Sequence, residues 1–444
     1  MVKKKDLERK YREKLVDADE AVRVVKSGDS VHYGIFCGVV KKLDQALAKR
    51  ANELENVKVY LTFWPYKDIP EIIKADPSGQ HFDFMTFHMS GVERRMNENK
   101  LCYYVPMQYR EVPKVYTESI GNIDVAMLQV SPMDKFGNFN IGPQVAESWG
   151  ILESAKKIIV EVNPNQPVVA GTRNTIHIDD VDFVVEGDAN PLPTVASKEP
   201  TEEEKQIAKH VIKHIESGST LQLGIGSLPN YVGTLISESE IEDLSVHSEM
   251  FVDAFYRLYQ AGKITGNKNL DRGKMVYSFA FGSQELYEFL DENPLTYAAP
   301  IDYVNSIAII ARIDKMVSIN SFLQVDLFGQ VNSESIGVKH ISGTGGQLDF
   351  VLGAFLSKGG KSFLCSPSTR ITKDGQRQST ILPVHMQGSI VTVPRSAVHY
   401  IATEYGIVNL KGKSIKERAK LLISIAHPDF REELEREAIK MKLI

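Results

Sequence analysis

The sequence predicts an α/β protein made of two homologous open α/β domains. Three observations support this fold class. Strand-like apolar runs alternate with helical segments, an order typical of parallel sheets. The chain has 444 residues, which is more than a single hydrophobic core usually organises. Finally, several segments of the first half recur in the same order in the second half.

The first half begins with one or two helices over residues 4–27. A strand, a glycine turn, a helix and a second strand follow in SVHYGIF, VVKKLDQALAKRANEL and VKVYLTF. The second half repeats this order, because residues 27–38 (SGDSVHYGIFCG) align with residues 217–228 (SGSTLQLGIGSL) at an offset of 190. Residues 57–62 (VKVYLT) then align with residues 244–249 (LSVHSE) at an offset of 187.

A matching turn follows a later strand in each half. The run LQVSPMDKFGN contains Asp134 and Gly137, and the run SFLQVDLFGQ contains Asp326 and Gly329, at an offset of 192 residues. In an Asp-x-x-Gly turn the aspartate can accept hydrogen bonds from its own backbone and the glycine can take positive φ. A second match in the same order makes a chance likeness between the halves improbable.

The boundary between the two copies is predicted in a polar segment, from Ser197 to Lys205. The predicted domains are an N-terminal one at residues 1–196 and a C-terminal one at residues 197–444. We expect the C-terminal domain to carry the reactive residues. The N-terminal domain is expected to form the opposite, carboxylic-acid side of a cleft between them, because ligand sites favour domain interfaces.

Glu249 is the candidate reactive residue. It follows the strand-like run LSVHS and precedes an amphipathic, helix-like segment that starts at Met250. Ligands of open α/β sheets bind beyond the carboxyl ends of the strands, and the NH groups of a helix start favour a carboxylate. Thr62 occupies the aligned position in the first copy. The sequence therefore predicts one nucleophilic or basic carboxylate per chain.

A glycine-rich turn in the second half is the candidate binding element. The run GTGGQLDF, residues 343–350, leads directly into an apolar helix. Glycines in such a turn let the backbone approach a ligand and leave NH groups available for an anion. A tight turn packed against a neighbouring segment would explain the same pattern.

Composition limits the possible functions. The chain carries 52 Lys and Arg against 57 Asp and Glu, a net charge of −5, so its charge does not point to nucleic acid or to an anionic membrane. The three cysteines are odd in number and far apart, which argues for a reducing compartment. The basic N-terminus has no apolar segment after it, and no apolar run reaches membrane-spanning length. We therefore expect a cytoplasmic protein.

Other catalytic patterns are weak or missing. The sequence contains no GxSxG, HExxH, Walker A or GxGxxG motif,. His247, Ser248 and Glu249 are not a hydrolase triad, because adjacent residues of a strand point to opposite faces. The segment HIDD at residues 177–180 offers too few ligands for a metal and indicates a turn. The best pocket-lining candidates in the first half are residues 88–90, His-Met-Ser.

Four motifs in the second half carry a family resemblance. They are GIGSLPN (224–230), HSEM (247–250), NSFLQVDLFGQVNSE (320–334) and SGTGGQLDF (342–350). In this order they resemble the class I coenzyme A transferases of the acetyl-CoA hydrolase/transferase family, in the 4-hydroxybutyrate and butyryl-CoA:acetate branch. SPMDKFGNFNIG in the first half extends the likeness over nearly the whole chain.

The resemblance implies roles for individual residues. The family's catalytic glutamate falls on Glu249 and its oxyanion-hole glycine on Gly346. Related succinyl-CoA:acetate enzymes imply Asn305 and Lys358 as further contacts. The full set of implied coenzyme A contacts is Gly224, Ile225, Gly226, Ser227, Leu228, Asn305, Gly343, Gly345, Gly346, Gln347 and Lys358. The implied fold is two domains of the coenzyme A transferase type with the active site in the cleft between them, assembled as homodimers or larger.

The predicted reaction is reversible, ping-pong transfer of coenzyme A between butyryl-CoA or 4-hydroxybutyryl-CoA and acetate, through a glutamyl-CoA thioester on Glu249. Coenzyme A enters as a substrate, and no metal, nucleic acid or membrane partner is implied. Two alternatives stay open: an acyl-CoA hydrolase of the same family, and a ligand-binding protein without catalysis. The sequence does not decide which of Tyr33, His88, Met107 and Tyr109 read the acid.

Overall fold

The computed structural model describes residues 4–196 and 198–444. The chain divides into two compact units. The first unit comprises Met1–Val195 and Val276–Val304, and the second comprises Ala196–Met275 and Asn305–Ile444. Ser197, where the C-terminal domain was predicted to start, lies outside the described residues. Residues 276–304, assigned from sequence to the C-terminal domain, group with the first unit, and the predicted domain limits remain predictions.

The first 196 residues contain the following helices and strands. The helices are α1 (Lys4–Lys14), α2 (Ala18–Ala21), α3 (Lys42–Ala48), α4 (Glu71–Ala75), α5 (Gly91–Glu98), α6 (Val112–Glu118) and α7 (Ser148–Ser154). The strands are β1 (Ser30–His32), β2 (Val57–Leu61), β3 (Phe82–Thr86), β4 (Tyr103–Tyr104), β5 (Val125–Val130), β6 (Asn138–Asn140), β7 (Lys157–Val162), β8 (Thr175–His177) and β9 (Phe183–Glu186). Short 3₁₀ helices occupy Val22–Val24, Phe36–Gly38, Ala51–Glu53, Tyr109–Glu111 and Ile178–Asp180.

The remaining elements follow from residue 198 onward. The helices are α8 (Glu202–Ile212), α9 (Ser227–Ser237), α10 (Asp253–Gln260), α11 (Gln284–Leu290), α12 (Ile301–Val304), α13 (Ile307–Ile310), α14 (Gln347–Leu356), α15 (Ile415–Ser424) and α16 (Pro428–Lys440). The longer strands are β10 (Thr220–Leu223), β11 (Ser245–Phe251), β12 (Met275–Ala280), β13 (Thr296–Ala298), β14 (Met316–Ser321), β15 (Gln324–Asp326) and, towards the C-terminus, β19 (Lys361–Cys365), β20 (Thr369–Ile371), β21 (Arg377–Ser379), β23 (Tyr400–Thr403) and β24 (Gly406–Asn409). The two-residue strands are β16 (Val331–Asn332), β17 (Ser335–Ile336), β18 (Lys339–His340) and β22 (Ile381–Leu382).

The first unit contains a parallel sheet of seven strands in the order β4-β3-β2-β1-β5-β7-β9. Its central strands read as continuous apolar runs because helices cover both faces of such a sheet. All six residues of β5, VAMLQV, are buried. The core beside the sheet joins Val31, Val59, Leu43 and Trp64 to the helices that precede and follow β1.

The second unit repeats this strand order. Its sheet runs β11-β10-β14-β19-β23, all parallel, and β24 adds an antiparallel edge strand next to β23. These strands correspond to β2-β1-β5-β7-β9 of the first unit. The predicted class, two α/β domains with parallel sheets, is confirmed. A second core packs α14, α15 and α16 through Val351, Leu422 and Leu434.

The two Asp-x-x-Gly turns have the same internal hydrogen bonds. In each, Oδ1 of the aspartate accepts hydrogen bonds from the NH groups two and four residues ahead, at 2.8 and 2.8 Å for Asp134 and at 3.1 and 2.9 Å for Asp326. The glycines take positive φ, 89° at Gly137 and 86° at Gly329. Both turns form as predicted, and they lie at equivalent positions of the two copies.

One strand is longer than predicted. β11 continues through Phe251, two residues beyond Glu249, and α10 starts only at Asp253. Phe251 and Val252 are 0% and 3% exposed. Burial of these two side chains keeps the backbone extended beyond Glu249. Among the helices that the structure describes, none combines the length and apolar character that crossing a membrane requires.

A buried carboxylate, Glu147, lies in the first unit just before α7. The Tyr109 hydroxyl donates a hydrogen bond to its Oε2 at 2.5 Å, and the Thr62 hydroxyl donates one to its Oε1. Burial raises the pKa of Glu147 to about 7, although both hydroxyl donors act in the opposite direction. Burial also raises the pKa values of Asp44 and Glu93 to about 7.

We predict that Glu147→Gln weakens the dependence of stability on pH. A carboxyl whose folded pKa lies above its unfolded value binds more protons in the folded state, so its contribution to stability falls as pH rises from about 4.5 to 7,. For a shift of this size the change is of the order of 3 kcal/mol. Urea unfolding at pH 5 and pH 8 measures it.

In Glu147→Gln the free energy of unfolding should fall less between pH 5 and pH 8 than in the parent chain. The part of the fall that Asp44 and Glu93 cause should remain. Buried His32, whose pKa is lowered to about 3 by burial, acts with the opposite sign in both proteins and cancels in the comparison. Glu118→Gln, at an exposed glutamate of the same unit, is the matched control and should behave as the parent chain. Equal pH dependence in Glu147→Gln and the parent chain would contradict the assignment.

Candidate functional site

The candidate site lies at the C-terminal edge of the second unit's sheet. β10 ends at Leu223, β11 at Phe251 and β14 at Ser321. Helix α14 begins at Gln347 beside these strand ends. Ligands of open α/β sheets bind at this edge, because the loops there are free to differ without disturbing the sheet.

Glu249 lies near the end of β11 and is partly exposed. Its Oε2 accepts a hydrogen bond from Nδ2 of Asn305 at 2.5 Å. Asn305 is fully buried, and within the described residues its Oδ1 has no hydrogen-bond partner. The asparagine therefore holds one carboxylate oxygen and keeps a free acceptor of its own.

Gly346 packs directly against the Glu249 carboxylate. A Cβ atom built on Gly346 would lie 2.0 Å from Oε2 of Glu249 and 2.2 Å from Nδ2 of Asn305. No larger residue fits without displacing one of these groups. Gly345 beside it takes a φ of +53°, and its Cβ position is 4.0 Å from Oε1 of Glu249. The close approach explains the glycine at 346, and the positive φ explains the glycine at 345,.

The contact places Glu249 at the N-terminus of α14, for which Gly346 is the N-cap residue. The first NH groups of an α-helix have no partners within the helix, and the helix dipole favours negative charge there. This end of the helix can stabilise the carboxylate and can also stabilise an oxyanion that forms next to it.

Side chains on both sides of the glycine turn fix its position. Nε2 of Gln347 donates a hydrogen bond to the backbone oxygen of Ser321 at 2.7 Å. The Thr344 hydroxyl donates one to Oε2 of Glu334 at 3.1 Å. Gly343 is buried. Ser321 and Glu334 were not singled out from the sequence, although both belong to a motif that was.

The second predicted binding turn, residues 224–228, follows β10. The NH of Gly224 donates to the backbone oxygen of Ile319 at 3.2 Å. Ile225 is 45% exposed, and Gly226 is exposed with a φ of +134°. In contrast, the Ser227 hydroxyl binds Glu204 at 2.8 Å and Leu228 is buried. The open part of this turn is therefore residues 224–226, and Ser227 and Leu228 face their own unit.

An amide pair that the sequence analysis missed supports this turn. Gln222 at the end of β10 and Asn320 at the end of β14 exchange two side-chain hydrogen bonds, at 3.1 and 3.0 Å. Oδ1 of Asn320 lies 3.8 Å from the Cβ position of Gly224. The only sequence signal was a polar residue at each strand end.

Lys358 does not lie with Glu249, Asn305 and Gly346. It is exposed and follows the C-terminal end of α14, and its backbone oxygen accepts a hydrogen bond from Lys315 at 2.8 Å. Lys315 directly precedes β14, at the opposite edge of the sheet from Glu249. The ten residues of α14 separate its two ends by about 15 Å at 1.5 Å per residue. The position of Lys358 gives no support to the predicted coenzyme A contact.

The first unit has equivalent positions, but its carboxylate lies at the helix start and not on the strand. Thr62, aligned with Glu249, follows β2, and Glu147 precedes α7 as Gly346 precedes α14. The strand end carries a hydroxyl there and the helix start carries the carboxylate, and the two are hydrogen-bonded. Among the described residues, the second copy alone combines a carboxylate on the strand with a glycine at the helix start.

The first-half pocket candidates divide into core and partly exposed residues. Met89 is buried, and the Ser90 hydroxyl caps α5 in a capping box with Glu93. Tyr33 is fully buried. The partly exposed candidates are His88 and Met107, and Tyr109 is buried with its hydroxyl on Glu147. In the part of the chain that the structure describes, no group of three or more His, Cys, Asp or Glu residues is arranged to hold a metal ion.

The chain is similar to known proteins over nearly its whole length. The sequence profile of the acetyl-CoA hydrolase/transferase N-terminal domain matches residues 1–196, and that of the C-terminal domain matches residues 282–438. The chain is 48% identical to a butyryl-CoA:acetate CoA-transferase of Anaerostipes caccae, over 98% of this chain and 97% of the relative. It is 39% identical to a 4-hydroxybutyrate coenzyme A transferase of Clostridium kluyveri, over 96% of this chain and 97% of the relative.

A solved structure has the same fold. RipA from Yersinia pestis matches with a TM-score of 0.89 and 38% identity, covering 99% of this chain and 100% of that one. Two matching domain profiles and full-length relatives confirm the resemblance inferred from the four motifs. The chain belongs to the acetyl-CoA hydrolase/transferase family.

Proposed function

We propose that this chain catalyses reversible transfer of coenzyme A between a short-chain acyl-CoA and acetate, with butyryl-CoA or 4-hydroxybutyryl-CoA as the acyl donor. The observation that carries the proposal is the Glu249 carboxylate, held between Asn305 and the backbone of Gly346 at a helix N-terminus. The named activities of the full-length relatives support the choice of acyl groups.

The proposed reaction begins with attack of the Glu249 carboxylate on the thioester carbonyl. The tetrahedral intermediate collapses to a mixed anhydride and releases the coenzyme A thiolate. The thiolate then attacks the glutamyl carbonyl of the anhydride, which frees the first carboxylic acid and leaves a glutamyl-CoA thioester. Acetate reverses the sequence and departs as acetyl-CoA. The thioester bond energy is carried through each step, provided that water is excluded.

The surrounding groups support this chemistry. The NH groups at the start of α14 are available to an oxyanion beside Glu249. Asn305 fixes one carboxylate oxygen and leaves its buried Oδ1 for a donor, such as an amide NH of the coenzyme's pantetheine arm. The exposed backbone of residues 224–226 offers a second contact surface for the coenzyme. Ser227 and Leu228 would contribute through their backbone alone.

A cytoplasmic setting is also part of the proposal. Cys37, Cys102 and Cys365 are all buried and free, as expected for a protein that works in a reducing compartment.

We predict that Glu249→Ala and Glu249→Gln abolish exchange. Without the nucleophile no anhydride or glutamyl thioester forms, and we expect a loss of about 10³-fold or more in kcat. The assay follows labelled acetate into acetyl-CoA with butyryl-CoA as donor. Borohydride reduction after incubation with acyl-CoA should modify Glu249 in peptide mass spectra of the parent chain.

The control is Glu240→Gln, at an exposed glutamate of the second unit, which should keep full activity. Substantial exchange in folded Glu249→Ala would refute the proposed mechanism. Release of free thiol at the same rate with and without acetate would instead identify a hydrolase.

Gly346→Ala is predicted to lower activity without unfolding the protein. The added methyl group would contact the Glu249 carboxylate and Asn305, and it would displace the nucleophile from the helix N-terminus. We expect kcat to fall by about 10²- to 10³-fold, the usual effect of disturbing oxyanion stabilisation.

Gly91→Ala is the matched control, because Gly91 also stands at a helix start and a Cβ there meets only the end of the Arg94 side chain, at 3.6 Å. Circular dichroism and steady-state kinetics measure both variants. If Gly346→Ala is as active as Gly91→Ala, the close approach of Gly346 to Glu249 does not control the nucleophile.

Asn305→Ala should lower kcat by about 10- to 100-fold, since a hydrogen bond to a charged group contributes about 1.5–3 kcal/mol. The comparison is Asn267→Ala, which removes an exposed asparagine contact to Asp243 at 3.4 Å and should leave kcat unchanged. Equal kcat in Asn305→Ala and the parent chain would remove Asn305 from the site.

A further inference from the structure

A cavity of about 290 Å³ lies in the second unit between β15, β22, the β20–β21 hairpin and α16. Its apolar lining includes Ile381, Phe430 and Leu434, and its polar lining includes Gln324, Arg370 and Glu433. We call it the α16 cavity. Its volume is at the lower end of the range of ligand pockets in proteins, which suits a small molecule.

The α16 cavity is separate from the group around the candidate nucleophile. Its lining residues do not include Glu249, Asn305 or Gly346. They come instead from the small sheet that pairs β15 with β22, and from the hairpin in which Arg370 lies opposite Gln378. The chemistry proposed for Glu249 therefore does not account for the polar groups of this cavity.

Two polar atoms of the lining are buried and, within the described chain, have no hydrogen-bond partner. They are Nε of Arg370 and Oε1 of Gln324, a residue that is 1% exposed. The first atom is a donor and the second is an acceptor. Buried polar groups in proteins nearly always have partners, and each exception calls for a physical cause. One bound molecule with an acceptor for Arg370 and a donor for Gln324 would satisfy both atoms.

The lining also carries a charge of each sign outside any ion pair of the described residues. Nη2 of Arg370 donates a hydrogen bond at 3.0 Å to the amide oxygen of Gln378, which is a neutral partner. Glu433 is an exposed carboxylate on α16. The other arginine of the cavity differs, because Nη1 of Arg377 lies 3.5 Å from Oδ2 of Asp429. One guanidinium and one carboxylate are therefore available to a ligand.

An apolar α-amino acid has the groups that this lining requires. Its carboxylate can accept hydrogen bonds from Arg370, and guanidinium–carboxylate hydrogen bonds are among the strong ones. Its ammonium group can donate to Oε1 of Gln324 and to the Glu433 carboxylate. Its side chain can pack against Ile381 and Leu434, which removes apolar surface from water.

Ligands with only one of these charges match the cavity less well. A simple carboxylate has no donor for Gln324 and adds a second negative charge beside Glu433. An alkylamine has no acceptor for Arg370 and leaves its buried Nε without a partner. Leaving a buried polar group unsatisfied costs more than a hydrogen bond gains, so the zwitterion should be preferred to both.

We propose that the α16 cavity is a binding site for a free amino acid with an apolar side chain, such as leucine. The ligand is held by hydrogen bonds and apolar contacts, and no covalent bond forms or breaks. Arg370 binds its carboxylate, and Gln324 and Glu433 bind its ammonium group. This site goes beyond the coenzyme A transfer proposed above and does not depend on it.

The experiment is isothermal titration calorimetry of the full chain with L-leucine. We expect one molecule to bind per chain with a Kd of about 1 mM or lower. Three related compounds each lack one group: 4-methylpentanoate lacks the ammonium group, 3-methylbutylamine lacks the carboxylate and glycine lacks the side chain. Each should bind at least about 10-fold more weakly than leucine.

Two variants of the lining test the assigned contacts. Arg370→Gln removes the guanidinium, and Gln324→Met removes the acceptor while nearly keeping the length of the side chain. Each should weaken leucine binding by about 10- to 100-fold, the effect of losing a hydrogen bond to a charged group. Arg436→Gln, at an exposed arginine of α16 outside the lining, is the matched control and should bind leucine as the parent chain does. Thermal unfolding establishes that each variant is folded.

The proposal is overturned if leucine, methionine and phenylalanine all fail to bind at about 10 mM. It is also overturned if 4-methylpentanoate binds as tightly as leucine, or if folded Arg370→Gln and Gln324→Met bind leucine as tightly as Arg436→Gln. These titrations contain no acyl-CoA. Failure of the transferase proposal has a different signature, exchange that persists in Glu249→Ala.

Discussion

The contact between the Glu249 carboxylate and the backbone of Gly346 is the constraint on which the site depends. A Cβ position 2.0 Å from Oε2 means that the carboxylate occupies the space where a side chain would otherwise lie. The absence of that side chain brings the acid to the first turn of α14, where the NH groups have no partner within the helix and the helix dipole favours negative charge. Asn305 fixes the Glu249 carboxylate. Hydrogen bonds to Ser321 and Glu334 fix the glycine turn.

The internal duplication explains why one chain has a single such arrangement. Both copies keep the same strand order and the same Asp-x-x-Gly turns. They differ in which element carries the acid: the helix start in the first copy, with Glu147 satisfied by Thr62 and Tyr109, and the strand end in the second. A satisfied, buried carboxylate serves the packing of its own unit. The partly exposed Glu249 is directed by a glycine instead.

Much of this could be predicted from the sequence, because repeats and turn chemistry are local. The aligned strands, the aspartate turns and Glu249 opposite Thr62 all depend on residues close together in the chain. What was missed depends on contacts between distant segments. The extra length of β11 follows from burial of Phe251, and the Gln222 and Asn320 pair joins residues 98 positions apart. Lys358 was matched by motif likeness alone and stays a prediction; it follows the C-terminal end of α14, whereas Glu249 contacts the N-terminal end.

The different position of the acid in the two copies also sets the number of candidate reactive carboxylates per chain. Within the described residues each 49.7 kDa chain offers one carboxylate facing a glycine at a helix start, so the mechanism proposed above allows one covalently bound coenzyme A per chain at a time. On that proposal, the amount of coenzyme A retained after unfolding equals the number of functional chains, as in an active-site titration. The duplication doubles the framework of the chain, whereas the proposed covalent site is present in one copy.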